Sequence, residues 1–131
     1  MATQRERFEV LSRLERAGIT GSDANALRRI ALTLHRWHER ECGFDTGCIE
    51  RDDQTQRPYW LNSFTMQRTP IPDREGGALR RLTALMKTYR RRFHAYVQGD
   101  PRGAALYLVR RKDVPKGERL HGYYTRGIAI Y

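Results

Sequence analysis

Five apolar side chains, Leu27, Ile30, Ala31, Leu34 and Trp37, recur at intervals of three and four residues. That spacing places them on one stripe of an α-helix and predicts a face that must be covered by other elements. Arg28, Arg29, Arg36, Glu39 and Arg40 fall mostly away from the stripe. The helix begins at Thr20 or Ser22 as N-cap: Thr20 and Asp23 stand at capping-box spacing, and Ile19 can staple onto Ala24. Gly43 supplies its stop. A shorter helix is expected over residues 3–17, where Phe8, Leu11 and Leu14 are spaced by three and Gly18 ends the run. A third opens at Pro72, with Asp73 and Glu75 near the positive end of its dipole. Its apolar positions, Leu79, Leu82, Leu85, Met86, Tyr89, Phe93 and Val97, predict one long helix stopping near Gly99.

The remaining segments change period. Residues 48–51 and 59–64 read as extended pieces flanking the polar stretch 52–57, a β-hairpin. AALYLVR and the terminal YYTRGIAIY alternate as half-buried strands do and are expected to pair, with RKDVPKGERLHG as a loop of a dozen residues between them. With 131 residues, no repeat and no linker composition, the expectation is a single domain over 1–131 of the α+β class: three helices packed on a small, mainly antiparallel sheet.

Charge is distributed unevenly. Residues 1–43 hold eight Lys and Arg against six Asp and Glu, and residues 44–86 hold six of each. Residues 87–131 hold eleven against three, so most of the net +10 sits in the last third. Clustered positive charge attracts polyanions, which makes nucleic acid, or an acidic groove of a nucleoprotein, the first partner to consider. The N-terminus carries charges where a signal peptide would be apolar, and no apolar run is long enough to span a bilayer. A cytoplasmic protein with no membrane partner is expected, its two cysteines reduced.

Few motifs point to chemistry. His35, His38, Cys42 and Cys48 offer zinc-ligand atoms, but the only regular spacing is His38 to Cys42, and no paired Cys-x-x-Cys supports it. Cys42 reads better as a buried residue at the helix end, and the histidines as partly exposed neighbours, so no cofactor or metal is expected. His94 and His121 lie in the basic third and could serve a metal-independent nuclease, yet nothing in the spacing brings them to one phosphate. The chain has no GxSxG, GxxxxGK[ST], GxGxxG or HExxH. The enzyme readings therefore lack support.

The basic third supplies the candidate contacts with a partner or nucleic acid: Arg90, Arg91, Arg102, Arg110, Arg111, Lys112, Lys116, Arg119 and Arg126, with Tyr123. Consecutive helix positions point 100° apart, so Arg90, Arg91 and Arg92 cannot all face one ligand, and one of them is expected to neutralise a helix C-terminus or a carboxylate. Tyr107, Tyr123, Tyr124 and Tyr131 could stack unpaired bases, although strand alternation sends Tyr123 and Tyr124 to opposite faces, one of them core. Gly99 and Gly103 bracket Asp100, Pro101 and Arg102 as a tight turn.

LTLHRWHERECG, RPYW, YVQGDPRGAALYLV and YYTRGIAIY together resemble a group of small accessory proteins of phages, prophages and plasmids, over roughly residues 30–131. The most specific piece is GDPRGAALYL followed by YYTRGIAIY. The group carries no assigned activity, so no residue role carries over from it. The resemblance implies a protein of mobile elements that acts in the bacterial host cytoplasm on host machinery, anti-CRISPR inhibitors of CRISPR effectors being one class of such proteins. The alternatives from the residues themselves are a direct single-stranded DNA or RNA binder and, further off, a small nuclease.

Overall fold

The computed structural model describes residues 3–131. Thr20 is the N-cap of the central helix α2, Gly21–Cys42, its hydroxyl oxygen accepting from Asp23 N at 3.2 Å. Gly43 closes it in the left-handed conformation at φ 57°. Helix α1 spans Gln4–Arg16 behind the Thr3 cap and contributes the fully buried Leu14. Phe8, expected on the buried stripe, is 70 % exposed: α1 covers α2 and the sheet edge with Leu14, Leu11 and Val10, one turn further on.

The strands are β1 (Gly47–Arg51), β2 (Pro58–Asn62), β3 (Arg68–Pro70), β4 (Phe93–Asp100), β5 (Gly103–Arg110) and β6 (Ile128–Ile130), and α3 (Asp73–Met86) connects β3 to β4. They form one sheet in the order β3-β2-β1-β4-β5-β6, with every neighbouring pair antiparallel. The α+β architecture of three helices on an antiparallel sheet is as the sequence predicts. So are the β1–β2 hairpin and the pairing of the AALYLVR segment with the C-terminus.

Three elements differ from expectation. The third helix ends at Met86 and not near Gly99; residues 87–92 turn, and residues 93–100 form β4. Phe93, Ala95 and Val97 fit both periods, and the strand wins because β4 pairs with β5 along its whole length, from Phe93↔Arg110 to Asp100↔Gly103. β5 is buried on both faces and not half-buried. Ala104, Leu106 and Leu108 meet the helices, while Ala105, Tyr107 and Val109 meet Val114, Leu120, Tyr123 and Tyr124. The presumed basic loop is therefore a cover: three short 3₁₀ turns, Arg111–Asp113, Leu120–Gly122 and Tyr124–Arg126, fold over the back of the sheet. The last strand accordingly begins only at Ile128, and Tyr123 and Tyr124 are not on it.

Helix α2 reaches the sheet where side chains are missing. Gly47 and Gly99 pair across β1 and β4, and Trp60, 2 % exposed, lies over both. A Cβ at Gly99 would overlap the Trp60 ring and stand 2.9 Å from His38 Nε2; one at Gly47 would overlap the Leu61 carbonyl. Gly103, at φ 117°, leaves the space that the His35 imidazole fills.

The β1–β2 and β2–β3 connections are the same turn built twice. Asp52 Oδ1 accepts from Gln54 N and Thr55 N, and Asn62 Oδ1 from Phe64 N and Thr65 N, all at 2.9–3.0 Å. Thr55 and Thr65 hydroxyls each accept the amide two residues on at 3.2 Å. Gln56 and Met66 take the same left-handed φ of 60° and 62°. Phe64 and Met66, 82 % and 63 % exposed, thus occupy positions that Gln54 and Gln56 fill in the twin, so the turn does not require them to be apolar.

Two outcomes follow for chemical denaturation. Gly99→Ala should destabilise the fold by about 2 kcal/mol or more, as over-packing against rigid rings does. Phe64→Gln with Met66→Gln should leave stability within about 0.5 kcal/mol of the parent, as surface changes do. A neutral Gly99→Ala would contradict the close approach.

Candidate nucleic-acid interface

At the end of the sheet where β4 begins and β5 ends, three segments bring cations together. Arg92 is the first link. Its two terminal nitrogens donate to the Ala17 and Gly18 carbonyls at 3.1 and 3.3 Å, capping the exposed C-terminus of α1. One arginine of the triplet thus neutralises a helix end, that of α1 and not of its own segment. Arg111 N donates to Arg92 O at 2.9 Å, and Arg111 Nε donates to the Arg90 carbonyl, which pins the start of the 3₁₀ turn against residues 90–92.

The result is a cleft of about 410 Å³ lined by Arg16, Ala17, Arg91, Arg92, Phe93, Arg110, Arg111 and Lys112. All six cations are exposed. No carboxylate lines the cleft, and among the described residues none of the six is within ion-pair distance of one. The nearby Asp23 carboxylate is occupied by the Tyr89 hydroxyl. A shallower hollow continues the positive surface past Arg90 and Lys87. Guanidinium forks and an ammonium around an open hollow are suited to successive phosphate oxygens of a strand.

The structure brings Arg91, Arg110, Arg111 and Lys112 of the sequence candidates into this cleft, with Arg90 beside it. Arg102 is elsewhere: it sits on the β4–β5 turn, paired with Asp100 at 3.2 Å, roughly 25 Å from Arg110 along the strand. Lys116 and Arg119 are exposed on the cover over the sheet's back, and Arg126 stacks at 5.2 Å on the half-buried Tyr123 ring. Tyr107 and Tyr124 pack edge to face at 4.9 Å in the back layer, which takes them out of any base-stacking platform. Arg16 was missed. Its only sequence signal is a basic residue in the last turn of α1, and it joins the site through the Arg92 bond across 75 residues.

The other candidates resolve as packing. His38 is completely buried, not partly exposed, its Nε2–H donating to the Asp45 carbonyl at 2.7 Å. His35 Nδ1–H donates to the Ala104 carbonyl at 3.2 Å. Burial pushes the Cys42 thiol up to about 11 and raises Cys48 as well, so both are protonated at neutral pH and are weak metal ligands. Cys42 is half-buried and Cys48 buried, both unpaired. Among the described residues no group of three His, Cys, Asp or Glu side chains is placed to hold a metal ion. His94 and His121 face the back of the sheet, His121 Nδ1 lying 3.1 Å from the Tyr96 hydroxyl, and neither lines the cleft. Among the described residues no helix is long and apolar enough to cross a membrane.

No protein family, curated protein or solved structure matches the chain.

Burial holds the His38 pKa below 6.5, against the raising effect of the Asp45 carbonyl, and burial together with Arg111 does the same for His94. The unfolded chain therefore binds protons that the native state excludes, and stability falls as pH drops through 6.5 towards the native values. Thermal melts of the parent should show this loss between neutral and mildly acidic pH, and His38→Gln should flatten part of it. An unchanged slope in His38→Gln would contradict the burial of a neutral imidazole.

Proposed function

We propose that the chain is a non-catalytic binding protein that inhibits a host nucleoprotein, laying its cleft against the sugar–phosphate backbone of the nucleic acid that the nucleoprotein carries. The observation behind this reading is the cleft itself, six cations converging without one carboxylate partner. Elsewhere four arginines do reach carboxylates, Arg5 with Glu9, Arg40 with Glu75, Arg68 with Asp52 and Arg102 with Asp100. Leaving six cations unpaired in one hollow costs mutual repulsion, which a polyanion removes by taking the place of small counterions. The packing of Tyr107 and Tyr124 favours grip on the backbone over base stacking. The sequence resemblance to phage, prophage and plasmid accessory proteins supports a CRISPR effector as the kind of nucleoprotein engaged, in the host cytoplasm.

The test uses Arg91→Glu, Arg110→Glu and Lys112→Glu together, sparing Arg92 and Arg111, whose bonds hold the fold. Fluorescence anisotropy with a labelled single strand should show at least tenfold weaker binding, and a salt slope shallower by about 2, since each single-strand phosphate contact contributes about 0.7. The parent should also retain an effector complex after a nuclease and moderate-salt wash, and the triple variant should not. Equal affinity in the two proteins would overturn the assignment of the cleft. A parent that binds free strands but retains no nucleoprotein would replace the inhibitor reading with that of a direct single-strand binder.

A further inference from the structure

The opposite end of the β4–β5 hairpin holds a second, smaller pocket of about 260 Å³. Four separate pieces of chain build it: Glu6 and Arg7 of α1, Arg28, Leu32 and His35 of α2, Arg102 of the hairpin turn, and Tyr131. Arg28, Leu32 and His35 share a helix face at spacings of four and three, and Gly103 admits the His35 ring, so the wall is set by the close approach of α2 to the sheet.

The charges in this pocket are unequally satisfied. Arg102 has Asp100, and Glu6 Oε1 accepts the Thr3 hydroxyl at 3.2 Å. Among the described residues Arg7 and Arg28 have no ion-pair partner. Arg28 Nε is moreover sealed from solvent with no hydrogen-bond acceptor. A buried guanidinium donor without an acceptor is costly, and a turn of the Arg28 side chain towards an oxyanion in the pocket would give it one. Arg7, Arg28 and Arg102 outnumber the one lining carboxylate, Glu6, and a phosphate offers three oxygens that two guanidinium forks can share where a carboxylate offers two. Leu32 and the Tyr131 side chain offer an apolar wall to whatever bears the charge.

We propose that this pocket binds a compact phosphomonoester, gripped by Arg7 and Arg28, at a site independent of the basic cleft. The same chemistry is presented by a free mononucleotide and by the 5′-phosphate end of a strand, and the size of the pocket admits one phosphate with a small body.

The test follows the arginine Nε–Hε signals of ¹⁵N-labelled protein by NMR during titration with 5′-AMP, with a 5′-phosphorylated dinucleotide and with the same dinucleotide bearing a 5′-hydroxyl. AMP should shift the Arg28 and Arg7 signals saturably, with at least tenfold weaker binding in Arg28→Met and in the exposed-site variant Arg7→Gln. The cleft triple variant should bind AMP as the parent does, which separates this site from the cleft and lets either fail alone. Preference for the phosphorylated dinucleotide over AMP would identify a strand end as the source, and the reverse a free nucleotide. Absence of saturable shifts with AMP and the phosphorylated dinucleotide, or equal binding of the 5′-hydroxyl dinucleotide, would overturn the proposal.

Discussion

Helix α2 rests on the sheet through aromatic rings set over glycines, and the positions of both basic ends depend on that contact. Trp60 covers the Gly47–Gly99 pair, the His38 ring lies 4.6 Å from the Trp60 ring, and Trp37 meets Trp60 edge to face at 6.3 Å. Flat rings over bare backbone let the helix approach closely, and tight packing makes that approach rigid. With α2 fixed, β5 runs beneath it between β4 and the edge strand β6, buried on both faces, and the hairpin it forms with β4 becomes a stiff rod with basic side chains at each tip. The α3 segment is tied to α2 separately, by the buried Glu75 carboxylate against Arg40 at 3.5 Å.

The two tips have different characters for a structural reason. At the turn, Asp100 both accepts from Arg102 N at 2.7 Å and pairs with its guanidinium, so the corner is locally neutral. At the far end the chain leaves β5 through Arg110, Arg111 and Lys112 and enters β4 from Arg90, Arg91 and Arg92, with no acidic residue among these six positions. Arg92 then draws in the end of α1 by capping it. One side chain therefore links folding to the site: the bond that stabilises a helix terminus is also what brings Arg16 beside Arg91 and Arg110.

Local signals carried much of this fold. The Thr20–Asp23 cap, the Leu27-to-Trp37 stripe and the Gly43 stop are encoded within a few residues each, and α2 follows them. The extent of α3 is not local: Tyr89, Phe93 and Val97 continue a helical spacing while Phe93, Ala95 and Val97 alternate, and only pairing with β5 decides between them. Similarly, the residues between β5 and β6 carry the composition of a loop, and their role as a second layer depends on Tyr107 and Val109 needing cover. Five of the six cleft cations belong to the charge cluster readable in the last third of the sequence. Arg16 was not, because its membership is a contact between distant segments, and Arg102 was wrongly grouped with the cluster because eight residues of strand separate it from Arg110 in space far more than in sequence.

Chemical footprinting tests the central claim most directly. Arginine modification by phenylglyoxal, read by mass spectrometry with and without a bound single strand, should protect Arg16, Arg91 and Arg110 while Arg74, Arg80, Arg81 and Arg126 react as before. Protection centred on the exposed face of α3 instead, or spread evenly over all exposed arginines, would contradict the cleft as the surface that holds nucleic acid.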